Sequence, residues 1–158
     1  MGIEVDEFSH RGEHSLEVQM PFIKYRFPRG RIAPVMMGDQ SPRSASDLAG
    51  KIAKARRQTG REIRLVASSD FSHYVPEEVA RKDDLYAIEA LKNLDTAEFY
   101  RRIGERGVSA CGYGPIATLC ISGKEMGATR GELLAYRTSG DVTGDHGEVV
   151  GYAAIAVM

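Results

Sequence analysis

The sequence predicts one α/β domain over residues 1–158, with a mixed, largely parallel sheet flanked by helices. Apolar runs of strand length alternate with longer segments whose apolar residues recur every three or four positions, as expected when helices cover a sheet. Hydrophobic residues make up 42% of the chain and charged residues 27%, which favours a globular domain over a disordered chain. No internal repeat or linker marks a second domain.

The first two predicted helices are recognised by their spacing and their ends. A helix over 13–27 has apolar residues at helical spacing, and Pro21 is expected to bend or restart it. A second helix over 41–60 begins after the N-cap candidate Ser41 and stops at Gly60.

Three more helices follow in the central part of the chain. A long helix is predicted over 75–94, a shorter one over 95–107 with Asp95 as its cap and Gly107 as its stop, and a third over 114–128. The inward face of the long helix is predicted to consist of four apolar residues: Val79, Leu85, Ile88 and Leu91.

Four segments are predicted to be strands. The short apolar runs 31–38 and 61–69 are typical of buried strands, and 131–140 and 148–158 are typical of two closing strands. After the first helix, the order of elements is therefore β-α-β-α-α-α-β-β. Because helical crossovers join parallel strands, this order predicts a sheet that is mostly parallel with a mixed-direction edge.

Charge and composition restrict the class of partner. Lys and Arg total 21 and Asp and Glu total 22, so the chain has no global field that would hold nucleic acid or an anionic membrane surface. No segment approaches 18 consecutive apolar residues, and the first ten residues lack the features of a secretory signal. We therefore expect a cytoplasmic protein that binds a small molecule or a peptide, with no nucleic acid and no membrane as partner.

The stretch "VASSDFSHY" contains the first candidate site. An apolar run ends there in Asp70 and His73, and ligands of open α/β sheets bind beyond the carboxyl ends of the strands. The two side chains are three positions apart, close enough in a turn to share a hydrogen bond that fixes the imidazole tautomer for proton transfer. The residues alone equally allow Ser69 or Asp70 to cap a turn and His73 to be a surface residue.

Cys111 is the second candidate. In "SACGYGPIATLC" it precedes Pro115, which opens a helix, so its sulfur would lie at a helix N-terminus where the dipole favours the thiolate. A thiolate there would be a nucleophile or a ligand for iron, copper or zinc. The alternative is a small buried hydrophobic residue, which is our interpretation of Cys120. The two cysteines, nine positions apart, do not have the spacing of a disulfide scaffold or a zinc knuckle.

Two weaker patterns remain. In "EHSLE", His14 lies between Glu13 and Glu17, but the pattern is not HExxH or another closed metal motif, and a capping role or a solvated face explains it better. The glycine-rich stretch "SGDVTGDHGEVVGYAA" lacks the spacing of a calcium loop. We interpret it as a connection between two strands in which Asp141 and Asp145 cap the turns.

Six segments together resemble the Memo-like proteins, which are relatives of the class III extradiol dioxygenases. They are "EHSLEVQMPF", "PVMMG", "ASSDFSHY", "CGYGPIATL", "TSGDVTGD" and "VGYAAIA", and they occur in the order and spacing of that family over nearly the whole chain. The resemblance implies a class III extradiol dioxygenase-like fold and a non-haem metal site in which two histidines and a cysteine hold iron or copper. The function implied is redox or oxygen chemistry. The alternative is a non-catalytic module that binds a peptide or another ligand in the same cleft.

The resemblance also implies roles for individual residues. Cys111 is similar to the family's thiolate ligand, and it replaces the carboxylate that completes the metal site of the dioxygenases. His73 is similar to the histidine that serves the dioxygenases as an acid/base near the substrate. Asp70 would orient His73, and His14 would line the same pocket.

Part of the family's fold is expected to lie outside this sequence. The two metal-ligating histidines of the family lie in N-terminal motifs of the type "PHAGY" and "GPNH", and neither string occurs here. The chain thus resembles the C-terminal portion of a larger Memo-like domain, and we expect the fold to be incomplete without an N-terminal half. That half would be supplied on another chain, or the uncovered surface would drive self-association.

Overall fold

A computed structural model describes residues 3–158 and shows a mixed α/β protein. The chain divides into two compact units, Met1–Gly38 and Asp39–Met158. Among the described residues, no helix is both long enough and apolar enough to cross a lipid bilayer.

The N-terminal unit contains a 3-10 turn, Glu17–Gln19, followed by helix α1, Met20–Arg26. Pro21 lies in the first turn of α1, where its missing N–H breaks no hydrogen bond within the helix. Of the two predicted effects of Pro21, the structure therefore shows the restart of a helix and not the bend. The predicted strand over 31–38 is wrong, because these residues have no regular secondary structure. Pro34 lies in the middle of that run and cannot donate to a sheet ladder.

The C-terminal unit contains five further helices: α2 Pro42–Thr59, α3 Glu77–Leu91, α4 Thr96–Arg106, α5 Tyr113–Glu125 and the short α6 Gly140–Thr143. The predicted ends are confirmed for α2 and α4. The side chains of Ser41 and Asp95 accept hydrogen bonds from the N–H groups of the first turns of α2 and α4. Gly60 and Gly107 end the same helices in the left-handed conformation.

The sheet of the C-terminal unit has three strands: β1 His73–Val75, β2 Gly131–Thr138 and β3 Val149–Val157. Their order is β1-β3-β2, and both pairs are antiparallel. The mixed α/β class is therefore confirmed, but the prediction of a largely parallel sheet is wrong. The segments 31–38 and 61–69, which were expected to supply parallel strands, pair with no strand of the described chain.

The segment 61–69 has no regular structure, although its pattern predicted a strand. Ile63, Leu65 and Ala67 are partly buried, whereas Arg64 and Val66 between them are exposed, so the alternation of a half-buried strand is present without a ladder. The described residues give no support to the expectation that the sheet is incomplete.

The core lies between the sheet and helices α3, α4 and α5. Its largest fully buried apolar side chains come from several elements: Phe71, Phe99, Ile88, Leu91, Leu94 and Val149. The predicted inward face of α3 is half wrong, since Ile88 and Leu91 are buried but Val79 and Leu85 are exposed. Ala80 and Asp84 are buried on α3 in their place, so a carboxyl group points into the interior.

Candidate functional site

The buried carboxyl group of Asp84 fixes the segment that carries the first candidate residues. It accepts hydrogen bonds from the Ser72 hydroxyl at 2.6 Å, from the Ser72 N–H at 3.2 Å and from the Tyr136 hydroxyl at 2.6 Å. Burial raises the pKa of Asp84, and the donated hydrogen bonds oppose that shift. Burial, the hydrogen bond to Asp84 and its charge together raise the pKa of Tyr136.

Gly151 on β3 also holds the segment before His73, through two backbone hydrogen bonds. Its N–H donates to the carbonyl of Ser72 at 2.9 Å, and its carbonyl accepts from the N–H of Phe71 at 2.9 Å. A Cβ at position 151 would lie 2.1 Å from the Asp84 Oδ2 atom, so only glycine lets the strand approach this closely. Residues 71 and 72 are thereby held on both sides, and the side chain that follows them has a defined position.

His73 is held by Ser109. Its N–H donates to the Ser109 hydroxyl at 2.8 Å, and its Nδ1 atom lies 2.9 Å from the Ser109 carbonyl oxygen. Because a carbonyl oxygen only accepts, Nδ1 carries the proton in this contact and Nε2 is left with its lone pair. Nε2 lies 3.8 Å from the Asp70 Oδ2 atom, so the predicted proximity of Asp70 and His73 is observed, at a separation longer than a direct hydrogen bond.

The Cys111 sulfur lies next to the backbone of Asp70. The N–H of Asp70 donates to the Cys111 sulfur at 3.2 Å, and the N–H of Cys111 donates to the Asp70 carbonyl at 3.2 Å. The N–H of Gly112 donates to the Ser69 hydroxyl at 2.8 Å, and a Cβ at position 112 would lie 2.7 Å from the Ser68 carbonyl oxygen. Cys111 is exposed and directly precedes Gly112, the N-terminal cap of α5, as the sequence predicted.

The structure therefore brings three predicted residues together. One ligand-capable atom each of Asp70, His73 and Cys111 lies within 4.8 Å of the other two. Asp70 and His73 are half-buried and Cys111 is exposed, so the cluster opens to solvent on the sulfur side. His14 belongs to the N-terminal unit, where it is exposed, and its predicted place in the same pocket stays a prediction.

Sequence reasoning missed three residues that support this cluster: Ser109, Gln40 and Asp84. Asp84 had a signal, because a charged residue at a position spaced for burial on a predicted helix indicates a buried polar contact. Ser109 lies two positions before Cys111 but matches no motif. Gln40 is 71 positions from Cys111, and no local pattern in the sequence connects them.

The glycine-rich connection after β2 behaves as predicted. Asp141 accepts from the N–H of Thr138 at 2.8 Å, and Asp145 accepts from the N–H of Gly147 at 2.9 Å, so both carboxylates cap turns. His146 in the same connection contacts the Glu77 carboxylate through Nδ1. It is not one of the three clustered residues.

An open cleft of about 520 Å³ lies beside β2 and β3. It is lined by Arg137, Thr138, Ser139, Asp141, Val142, Thr143 and Tyr152. Burial raises the pKa of the Tyr152 hydroxyl, and the charge of Asp70 adds to the shift, so Tyr152 lies within electrostatic reach of the cluster.

Comparison with known proteins gives the family. The family model described as Memo-like protein matches residues 1–156. A MEMO1 family protein of Methanococcoides burtonii is 48% identical over 156 residues, which are 98% of this chain and 59% of the relative's length. A MEMO1 family protein of Methanosarcina barkeri is 47% identical over the same shares of both chains. A MEMO1 family protein of Nitrosopumilus maritimus is 45% identical over 97% of this chain and 55% of its own length.

The chain thus spans between half and two thirds of the length of these relatives. With the family model matching nearly every residue and identities of up to 48%, the chain belongs to the Memo-like protein family.

Proposed function

We propose that this chain provides part of a non-haem metal site, related to that of the extradiol dioxygenases, and that this site supports redox or oxygen chemistry. One observation carries the proposal: a sulfur, an imidazole nitrogen and a carboxylate oxygen, from Cys111, His73 and Asp70, lie within 4.8 Å of one another. These residues are 41 positions or fewer apart in the chain but come from two different segments, so the fold has assembled them.

The Cys111 sulfur fits a bond to a transition metal, at about 2.3 Å. A molecule bound at that metal would lie near His73 and Asp70, since one atom of each lies within 4.8 Å of an atom of Cys111. The contact of His73 Nδ1 with the Ser109 carbonyl favours the tautomer in which Nε2 can take up a proton. Sulfur and imidazole donors suit iron and copper, the two metals that we propose.

A bound iron or copper would supply one-electron chemistry and a position for oxygen or substrate. Cys111 supplies the protein's bond to the metal through its sulfur. His73 accepts or returns a proton at Nε2, the nitrogen left free by Ser109. Asp70 stabilises the imidazolium when Nε2 is protonated, since its carboxylate lies 3.8 Å away.

We infer that the ligand set is completed from outside Asp39–Met158. The resemblance implies two further histidine ligands from an N-terminal half, and the relatives extend well beyond the matched region. An N-terminal half on another chain would bring those ligands, whereas self-association of this chain would cover exposed apolar surface without supplying them. The occupant of the site is proposed to be a small molecule or a peptide.

Metal analysis of matched cysteine variants tests the proposal. The chain is combined with the N-terminal half of a Memo-like relative, loaded with iron(II) or copper(I) under anaerobic conditions, desalted and analysed for bound metal, for wild type, Cys111→Ser and Cys120→Ser. We expect Cys111→Ser to lose the metal and Cys120→Ser to retain it, because Cys120 is buried and is not one of the three clustered residues. Oxygen consumption by the loaded protein should fall in His73→Ala. Equal metal content in both cysteine variants would refute the metal site.

The alternative function is a non-catalytic module that binds a peptide or another ligand, and two exposed tyrosines favour it. Tyr74 directly follows His73 and has a φ of 55°, a left-handed conformation that is strained for a residue with a side chain. Tyr152 lines the neighbouring cleft. In this function, peptides selected from a library on the wild-type chain would still bind after Cys111→Ser and His73→Ala but not after Tyr152→Ala.

A further inference from the structure

Cys111 does not lie in a helix or a strand. It lies in a turn between the irregular segment 108–110 and α5, which begins at Tyr113. Hydrogen bonds with Ser69 and Asp70 hold this turn on the side of the cluster. The opposite side of the turn needs a second anchor if the sulfur is to keep one position.

Gln40 is that second anchor. Its Nε2 atom donates to the Cys111 carbonyl at 2.9 Å, and its Oε1 atom accepts from the Gly114 N–H at 2.9 Å. One planar amide thus satisfies the carbonyl of the cysteine and an N–H of the first turn of α5, a group that has no partner within the helix. Both ends of the turn are fixed by one side chain.

Gln40 can pack this closely against the start of α5 because residue 114 is a glycine. A Cβ at position 114 would lie 2.8 Å from the Gln40 Cβ atom, so glycine at this position leaves the space that Gln40 occupies. The backbone of Gln40 is itself held, because the Tyr100 hydroxyl donates to its carbonyl at 2.8 Å. Ser41, the next residue, is the N-cap of α2, so Gln40 is placed by a helix start and by α4 together.

We propose that Gln40 is a positioning residue that fixes the Cys111 sulfur against Asp70 and His73. The inference rests on the proposed function, since it names a residue that serves the same site without touching the metal. Residues that orient metal ligands in this way typically contribute about 10- to 100-fold to metal affinity.

Cobalt(II) titration of the full chain tests the proposal. The absorption band that arises from sulfur-to-cobalt charge transfer reports the affinity and the geometry of the bond to Cys111. We expect Gln40→Ala to weaken cobalt binding by about 10- to 100-fold and to shift this band. Gln58→Ala is the matched control, since Gln58 is exposed near the end of α2 and should leave both readouts at the wild-type values.

Gln40→Glu separates positioning from space filling. Glutamate has the same size and keeps an acceptor for the Gly114 N–H, but it replaces the donor to Cys111 with a carboxylate oxygen that the carbonyl repels. We expect Gln40→Glu to bind cobalt as weakly as Gln40→Ala. Wild-type affinity in Gln40→Glu would mean that Gln40 only fills space, and wild-type affinity in Gln40→Ala would overturn the proposal.

Alkylation of Cys111 by iodoacetamide provides a readout that needs no metal. Loss of the anchor should speed alkylation in Gln40→Ala relative to Gln58→Ala, with thermal unfolding measured on both variants to confirm that they are folded. If the wild-type chain binds no cobalt by itself, the metal needs the ligands expected from outside Asp39–Met158, and a changed alkylation rate still supports the role of Gln40. An unchanged rate in folded Gln40→Ala refutes it.

Discussion

At the scale of single residues, the two cysteines should differ sharply in reactivity. Cys111 is exposed, whereas burial raises the pKa of the Cys120 thiol to about 11 and keeps it in the unreactive protonated form near neutral pH. We predict that iodoacetamide modifies one thiol per native chain, at Cys111, and a second only after unfolding in urea. Mass spectrometry of native and unfolded samples measures this, and modification of native Cys111→Ser at Cys120 would contradict it.

Two glycines should respond in opposite ways to alanine. In Gly151→Ala the new Cβ would lie 2.1 Å from Asp84 Oδ2 and 2.7 Å from the Tyr136 hydroxyl, so we expect a loss of about 1–3 kcal/mol or more in the free energy of unfolding. Gly50 lies exposed within α2 with no atom within 4 Å of its added Cβ. Gly50→Ala should therefore stabilise by about 1 kcal/mol.

Urea unfolding followed by circular dichroism measures both changes. The comparison distinguishes a steric effect at the anchor from a general effect of replacing glycine. Equal changes in the two variants would mean that the close approach of β3 to Asp84 does not constrain the segment before His73.

At the scale of elements, the packing of α4 on α3 should depend on pH through Glu98. Its carboxylate accepts from Arg101 at 2.7 Å and from Arg102 at 2.6 Å, and the Arg102 guanidinium donates to the Tyr86 carbonyl on α3 at 2.7 Å. These arginines lower the pKa of Glu98 from 4.5 to about 2. Because the folded pKa is depressed, this stabilisation is present above pH 4.5 and is lost as the pH falls towards 2.

Glu98→Gln should therefore flatten the acid limb of the stability profile. The thermal midpoint, measured by circular dichroism between neutral and acid pH, should fall less steeply in the variant than in wild type. Glu89→Gln is a control, since Glu89 forms an exposed ion pair with Lys92, the residue that directly follows α3. Parallel acid limbs in wild type and Glu98→Gln would show that the pair does not join the two helices.

The elements also show why the helices were predicted better than the strands. Helix ends are encoded locally, by Ser41, Asp95, Gly60 and Gly107, and these signals act wherever the helix packs. A strand needs a partner strand to form hydrogen bonds with. In 61–69, partly buried and exposed side chains alternate as in a strand, but the segment pairs with no other strand among the described residues. Local sequence patterns therefore could not predict whether the strands are parallel or antiparallel, because that depends on which segments pair.

At the scale of the whole molecule, the candidate site could also be predicted only in part from local sequence patterns. Asp70, His73 and Cys111 were found because each lies in a motif, but their anchors Gln40 and Asp84 act across many positions of the chain. Such contacts form only when helices α2 and α3 pack on the rest of the unit. The sequence therefore predicted three residues that the structure brings together, and the structure identified the contacts that hold them.

The N-terminal unit gives the last prediction, which concerns association. Its helix α1 has Phe22 and Tyr25 on one face, three positions apart, and these side chains are 73% and 91% exposed. Val5 and Phe8 add to the exposed apolar surface of the same unit. Apolar surface of this kind is normally covered by another chain or segment, so we predict that the 158-residue chain self-associates.

Sedimentation velocity over a range of concentrations measures this association. Replacing both Phe22 and Tyr25 by Ser should shift the distribution towards monomer, because it removes the apolar face of α1. Tyr74→Ser is the matched control, since Tyr74 is equally exposed but belongs to the other unit, beside His73. A wild-type chain that sediments as a monomer at all concentrations would show that this face needs no partner, and the expectation of self-association would then fail.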